Sequence, residues 1–136
     1  MAFLLDTCTI SDYLKGDRST MRRFKQEKPF DIYISTLTVF EIDFGLQLKP
    51  SLIKKIAPQL EIIYRKIEII SFSIDEAYSA AKIRKYLKLA GTPIRFYDLL
   101  IAATAQANNL ILVTSNCNEF SRIEGLKIEN WRNPND

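Results

Sequence analysis

Short apolar runs alternate along this chain with longer stretches of helical spacing. "AFLLD" (2–6), "DIYIS" (31–35), "IEIIS" (67–71) and "LILVT" (110–114) are apolar or alternating runs of strand length, and "LKIENW" (126–131) predicts a fifth strand. Between them, residues 9–16 and 19–28 predict two short helices and "TLTVFEIDFGLQL" (36–48) a third, while "SLIKKIAPQLEIIYRK" (51–66) predicts a fourth, interrupted at Pro58. "SIDEAYSAAKIRKYLKLAG" has clear helical spacing and ends on Gly91 in a C-cap position. "RFYDLLIAATAQANN" (95–109) is apolar on nearly every face after Asp98 and predicts a buried helix entered from Pro93. Strands alternating with helices imply an α/β fold with a central, mostly parallel sheet of four to five strands and helices on both faces, in a single domain over 1–136.

At 136 residues and 47% hydrophobic, the chain can bury a real core without disulfide staples. No apolar run reaches the roughly 18 residues of a membrane span, and the start "MAFLLDTC" lacks a basic leader, so the expectation is a cytoplasmic protein with no membrane association. Cys8 and Cys117 are expected as free thiols. The net charge of +3 is modest, but basic residues come in groups, among them Arg22, Arg23, Lys25 and Lys28, and Lys82, Arg84, Lys85 and Lys88. Such groups suit a polyanion such as RNA, and they equally describe solvated helix faces.

In open parallel sheets ligands bind beyond the carboxyl ends of the strands. "FLLD" delivers Asp6 there, followed by Thr7, and "LILVTSN" delivers Thr114, Ser115 and Asn116. Each also fits a helix cap or turn. In the third predicted helix, Glu41 shares a face with Leu37, Phe44 and Leu48, and Asp43 shares another with Val39, Phe40 and Leu46, so the period does not choose between them. A charged carboxylate on a core-facing stripe costs several kcal/mol unless cations or donors compensate it. Asp98 has the same difficulty beside Ile101 and Ala102, eased by its place in a first helical turn. If Asp6, Glu41 and Asp98 converge, a cation must offset their repulsion, and all-oxygen ligands select Mg²⁺ or Mn²⁺. The chain has no histidine, which excludes an imidazole base, Ser-His and Cys-His nucleophile pairs and histidine-bound zinc. A Gly-rich phosphate loop is also absent.

"FLLDTCTISDYLKGD", "STLTVFEIDFGL", "GTPIRFYDLLIAATA" and "LVTSNCNEFSRIEGLKIENW" resemble, in order and at compatible spacing, the successive motifs of the PIN-domain family, specifically VapC-type toxins of bacterial toxin–antitoxin pairs. The resemblance runs essentially from end to end. It implies a Mg²⁺- or Mn²⁺-dependent endoribonuclease that cuts structured RNA, tRNA or rRNA, restrained by a cognate VapB-type antitoxin, and a homodimer. The family's acids fall on Asp6, on Glu41 rather than Asp43, and on Asp98. The fourth position is Asn116, where many relatives have aspartate, and Glu119 three residues later is the candidate for the missing charge. The chain also departs from the pattern at Cys8, where the family generally has asparagine, and at Arg95, where relatives often have glycine; Arg95 is a candidate RNA phosphate contact.

Two thiols, Cys8 and Cys117, are expected at the rim of one cleft if their strands are neighbours, with two small buried hydrophobes as the simpler role. Apolar grooves around Phe24, Phe40 and Phe44 could receive an antitoxin segment, though core is their simpler role, and Trp131 is expected to pack a terminal strand edge. The competing function is a non-catalytic RNA-binding or protein-interaction domain on the same fold. A receiver-like phosphoacceptor is disfavoured by the lack of an adjacent acidic pair and of a lysine closing a later strand.

Overall fold

All five expected strands form, each shorter than expected, β2 at its start alone and the others at both ends. The computed structural model describes residues 1–132. In chain order the elements are β1 (Phe3–Leu5), α1 (Thr7–Leu14), α2 (Arg18–Gln26), β2 (Ile32–Ser35), α3 (Thr36–Leu48), α4 (Ile53–Lys66), β3 (Glu68–Ile70), α5 (Ile74–Ala90), α6 (Phe96–Ala107), β4 (Ile111–Val113), α7 (Cys117–Phe120) and β5 (Ile128–Glu129). The sheet runs β3-β2-β1-β4-β5. Every pairing in it is parallel, so the mostly parallel sheet of the sequence becomes a wholly parallel one among the described residues.

The central strands β1 and β4 are apolar on both sides because both sides are covered. Leu4 and Leu112 face one way, onto Ile83 and Leu87 of α5, Ile101, Ala102 and Ala105 of α6, and Phe120. Phe3, Leu5, Ile34 and Val113 face the other way, onto Ile10, Phe24, Leu60 and Ile63. Trp131 closes this second layer, packed edge-on to Phe3 with ring centroids 5.4 Å apart. The alanines of α6 let it lie close against α5 and the sheet, which explains why that helix is apolar all round. Gly91 ends α5 at φ +70°, a left-handed cap in which glycine carries no Cβ penalty.

Two expectations are corrected here. α4 is not interrupted at Pro58 but continues through it to Lys66. The ring removes one helix hydrogen bond on an exposed face, and Leu60 and Ile63, buried one turn later, hold the helix to the sheet. α3 lays only a half-buried stripe, Val39, Ile42 and Leu46, against the core: among its residues only Thr38 is fully buried, and Phe40 and Phe44 are 50% and 56% exposed. Phe24, by contrast, takes the core place expected of it.

Candidate active site

The carboxyl ends of β1, β2 and β4, the three central strands, release the chain on the same edge of the sheet. Asp6 follows β1, Ser35 closes β2 and leads straight into α3, and Thr114 follows β4. α6 runs back toward the start of β4, so its first turn, with Asp98, lies at that edge as well.

Asp6 is 3% exposed. It caps α1, its Oδ1 accepting from the Thr9 amide at 2.8 Å, while its own amide donates to the Val113 carbonyl at 3.0 Å. Burial nonetheless pushes its carboxyl up to about 6, against the pull of hydrogen bonds from Thr114 and Thr9, and the charge of Asp98 adds to the rise. Thr9, which the sequence reading passed over, ties the two strand ends together: its hydroxyl donates to the Val113 carbonyl at 2.9 Å. Its signal was available, because a residue three beyond an aspartate at a strand-to-helix junction is the usual partner of an N-cap.

Glu41 points away from the sheet's core toward Asp98 and Thr7. Thr7 Oγ1 donates to Glu41 Oε1 at 2.8 Å, and the Thr38 hydroxyl lies 3.3 Å from that of Thr7. Asp43, on the other side of α3, is exposed and accepts from Gln47 at 2.8 Å. Geometry therefore brings Glu41 into the group and leaves Asp43 outside it. Rings help to set the distance between α3 and α6, with Phe40 and Tyr97 centroids 5.6 Å apart.

Arg95 is the residue whose placement is least expected. Its Nη2 donates to Glu41 Oε2 at 2.7 Å and to Asp98 Oδ1 at 3.2 Å, and its Nε to Asp98 Oδ2 at 3.3 Å. The guanidinium thus spans two carboxylates from different helices, and both raise its already high pKa. Asp98 stays above the usual carboxylate range because burial outweighs Arg95, and Glu119 and Glu41 push the same way.

Glu119 reaches the group from α7. The Arg95 backbone amide donates to its Oε1 at 3.0 Å, and the Asn116 side-chain amide donates to its other oxygen. The first of these bonds leads in holding Glu119 below its ordinary value. Asn116 and Glu119 are thus paired with each other, and its amide anchors a carboxylate where a fourth acid was sought. The hydroxyl of Thr114, fully buried, accepts from the Asn116 backbone amide at 3.0 Å.

Carboxylate, amide and hydroxyl oxygens are the donors that a hard divalent cation takes, and Glu41 and Asp98 already share one positive centre. The donor set fits Mg²⁺ or Mn²⁺ in kind. As they stand, no three His, Cys, Asp or Glu side chains among the described residues form a group that could hold a metal ion.

Cys8 and Cys117 lie in the first turns of α1 and α7, which leave neighbouring parallel strands, and both are free thiols. Cys8 is exposed rather than buried. Desolvation, with the charges of Asp6 and Asp98, pushes its thiol up to about 11 from 9.0. Alkylation of Cys8 by maleimide at pH 7, followed by mass spectrometry in a Cys117→Ser background, should be about a hundredfold slower than that of a free cysteine, because the thiolate is the nucleophile. A rate matching the free amino acid would contradict this.

An α/β sheet with acids gathered at its carboxyl edge, in a chain without histidine, leaves carboxylates and any metal they hold as the means of acid–base chemistry there. The family model described as "PIN domain" matches residues 3–126. Among curated proteins, the chain is 30% identical to the tRNA(fMet)-specific endonuclease VapC of Salmonella typhimurium over 96% of its own length and 98% of that protein's. It is 37% identical to Ribonuclease VapC2 of Rickettsia felis over 74% of each. The chain belongs to the PIN-domain family, in its VapC-type group. Its backbone superposes on the VapBC2 complex from Rickettsia felis, bound to a promoter DNA fragment, with a TM-score of 0.89 at 31% identity, covering 96% of this chain and 99% of that one. The corresponding DNA-bound VapBC structure from Salmonella typhimurium gives 0.88 at 30%, covering 96% and 98%.

Proposed function

We propose that this chain is a Mg²⁺- or Mn²⁺-dependent endoribonuclease toxin that cleaves structured RNA, tRNA or rRNA, acts in the cytoplasm as a homodimer, and is restrained by a cognate VapB-type antitoxin. The observation that carries the reading is the meeting of Glu41 and Asp98, from separate helices, on one cation beside the buried Asp6. The ribonuclease names of relatives that align over nearly the whole chain support it.

Asp6, Glu41 and Asp98 would hold the metal. Bound there, such a cation lowers the pKa of its water and offsets charge developing on the scissile phosphate. Asp6 is fixed by the Thr9 amide and Glu41 by the Thr7 hydroxyl, so both carboxylates are oriented before any ligand arrives. Asn116 and Glu119 adjust the group from outside, Glu119 by gripping the backbone that carries Arg95. Lys82, Arg84, Lys85 and Lys88 form an exposed basic row along α5, suited to an RNA backbone. A groove of about 560 Å³ opens beside Thr7 and Glu41 and is lined by Ile42, Leu46, Leu52 and Ile56. It suits an apolar antitoxin segment whose end reaches the acids. That the similar solved structures are VapBC complexes supports such a partner. No helix among the described residues is long and apolar enough to cross a membrane.

Purified protein incubated with total bacterial RNA should yield discrete fragments with Mg²⁺ or Mn²⁺ and none with chelator. Intact RNA throughout, with saturable binding, would favour the non-catalytic RNA-binding domain instead.

A further inference from the structure

We infer that Arg95 is a built-in counter-ion of the acid group and that a divalent metal binds by exchange with its guanidinium. This rests on the metal reading above. Glu41 and Asp98 come from different helices, their side chains only 13% exposed, and both are satisfied by the same Nη2. No other basic side chain pairs with either carboxylate among the described ion pairs. One positive centre already lies between the two acids, where a metal held by both would have to sit. That agrees with the finding that, among the described residues, no three acids are grouped for a metal as they stand. With Arg95 in place, the group is closed on itself.

The same geometry makes the exchange inexpensive. Arg95 caps α6 with an extended backbone, and its amide is gripped by Glu119, so the main chain stays fixed when the side chain swings. The side chain is 54% exposed and its main packing is the Tyr97 ring, 5.9 Å from its carbon centre. Solvent on the Arg95 side screens the pair and lowers what its loss costs. A divalent ion would bring two charges to acids that one guanidinium only partly neutralises, and Asp6, which has no partner among the described ion pairs, would be available to join them. The freed guanidinium then faces solvent, available to a phosphate. Apparent metal affinity is set by the fraction of molecules with Arg95 out.

The test combines two readouts on the full chain. Mn²⁺ affinity is measured by the electron paramagnetic resonance of free Mn²⁺ for wild type, Arg95→Gln and Asp98→Asn, with folding checked by circular dichroism. In parallel, the arginine Hε–Nε cross-peaks of ¹⁵N-labelled wild type are followed during a Mg²⁺ titration, the Arg95 peak being the one missing in Arg95→Lys. If Arg95 is out in roughly a tenth of molecules, Arg95→Gln should bind Mn²⁺ about tenfold more tightly than wild type. The Arg95 peak should move to the free-guanidinium position with the midpoint of metal binding. An unchanged Arg95→Gln affinity, or a stationary Arg95 peak while the metal saturates a site that Asp98→Asn loses, overturns the exchange and leaves the metal reading intact. Absence of metal binding in wild type and Arg95→Gln alike overturns both.

Discussion

Asp98→Asn is expected to cut metal-dependent RNA cleavage by about a thousandfold, roughly 4 kcal/mol of transition-state stabilisation, while leaving the fold in place. The loss is large because the change removes one of two charges that face a common centre, and an amide oxygen is a weaker ligand for a hard cation than a carboxylate. The structural cost is small. Asp98 sits in the first turn of α6, where its charge is worth about 0.3 to 1 kcal/mol to the helix, and its partner Arg95 is half exposed and keeps Glu41. Removing a charge also relieves the repulsion that Glu119 and Glu41 exert on it. Gel quantification of fragments, with melting curves on the same samples, separates the two effects. Asp43→Asn is the internal control, an exposed acid on the far side of α3 whose loss should leave cleavage at the wild-type rate. Unchanged cleavage in folded Asp98→Asn protein would remove Asp98 from the site.

The contrast between Glu41 and Asp43 shows what the sequence could not decide. Hydrophobic periodicity assumes that an apolar residue is a buried one, and along α3 that holds in part for Val39, Ile42 and Leu46 but fails for Phe40 and Phe44, so only the contacts of Glu41 with Thr7 and Arg95 single it out. Asp6 was legible because an all-apolar strand ended on it, and Asp98 because an otherwise apolar helix began with it. The sheet was legible for the same reason, since strands covered on both faces read as unbroken apolar runs. Pairings between distant segments left no such trace. Asp12, buried in α1, takes a two-pronged hydrogen bond from Arg132 at 2.8 and 3.0 Å across 120 positions, and nothing local in either segment announces it. Arg95 was visible as a residue but not as a bridge, because the direction of a long side chain is decided by what meets it in three dimensions.

The stability of the metal-free protein should carry the mark of the same acids. Asp6 titrates near 6 in the folded chain and near 3.8 when unfolded, so the fold holds its proton more tightly than the coil does. Below about pH 4 both states are protonated and the burial of Asp6 costs nothing through ionisation. As pH rises from about 4 to 6 the coil releases the proton first, and the folded state loses stability until Asp6 ionises in it too. Above about 6 the full penalty is present, up to about 3 kcal/mol. Asp6→Asn retains an oxygen for the Thr9 amide and has no charge to bury. It should therefore melt higher than wild type at pH 7, by as much as roughly 10 °C, with the difference closing as pH falls toward 4. Glu76 works in the opposite sense: burial pushes it up, but bonds from the Ser73 amide and Asn108 outweigh that and hold it low, so its stabilisation fades as pH falls. Because both proteins contain Glu76, the difference between their melting curves isolates Asp6. Mn²⁺ should then raise the melting temperature of wild type and not of the variant, reversing their order. Equal melting temperatures at pH 7 without metal would mean that Asp6 is not held charged at a cost, and the tension between keeping this fold and keeping its acid edge would have to lie in Asp98 instead.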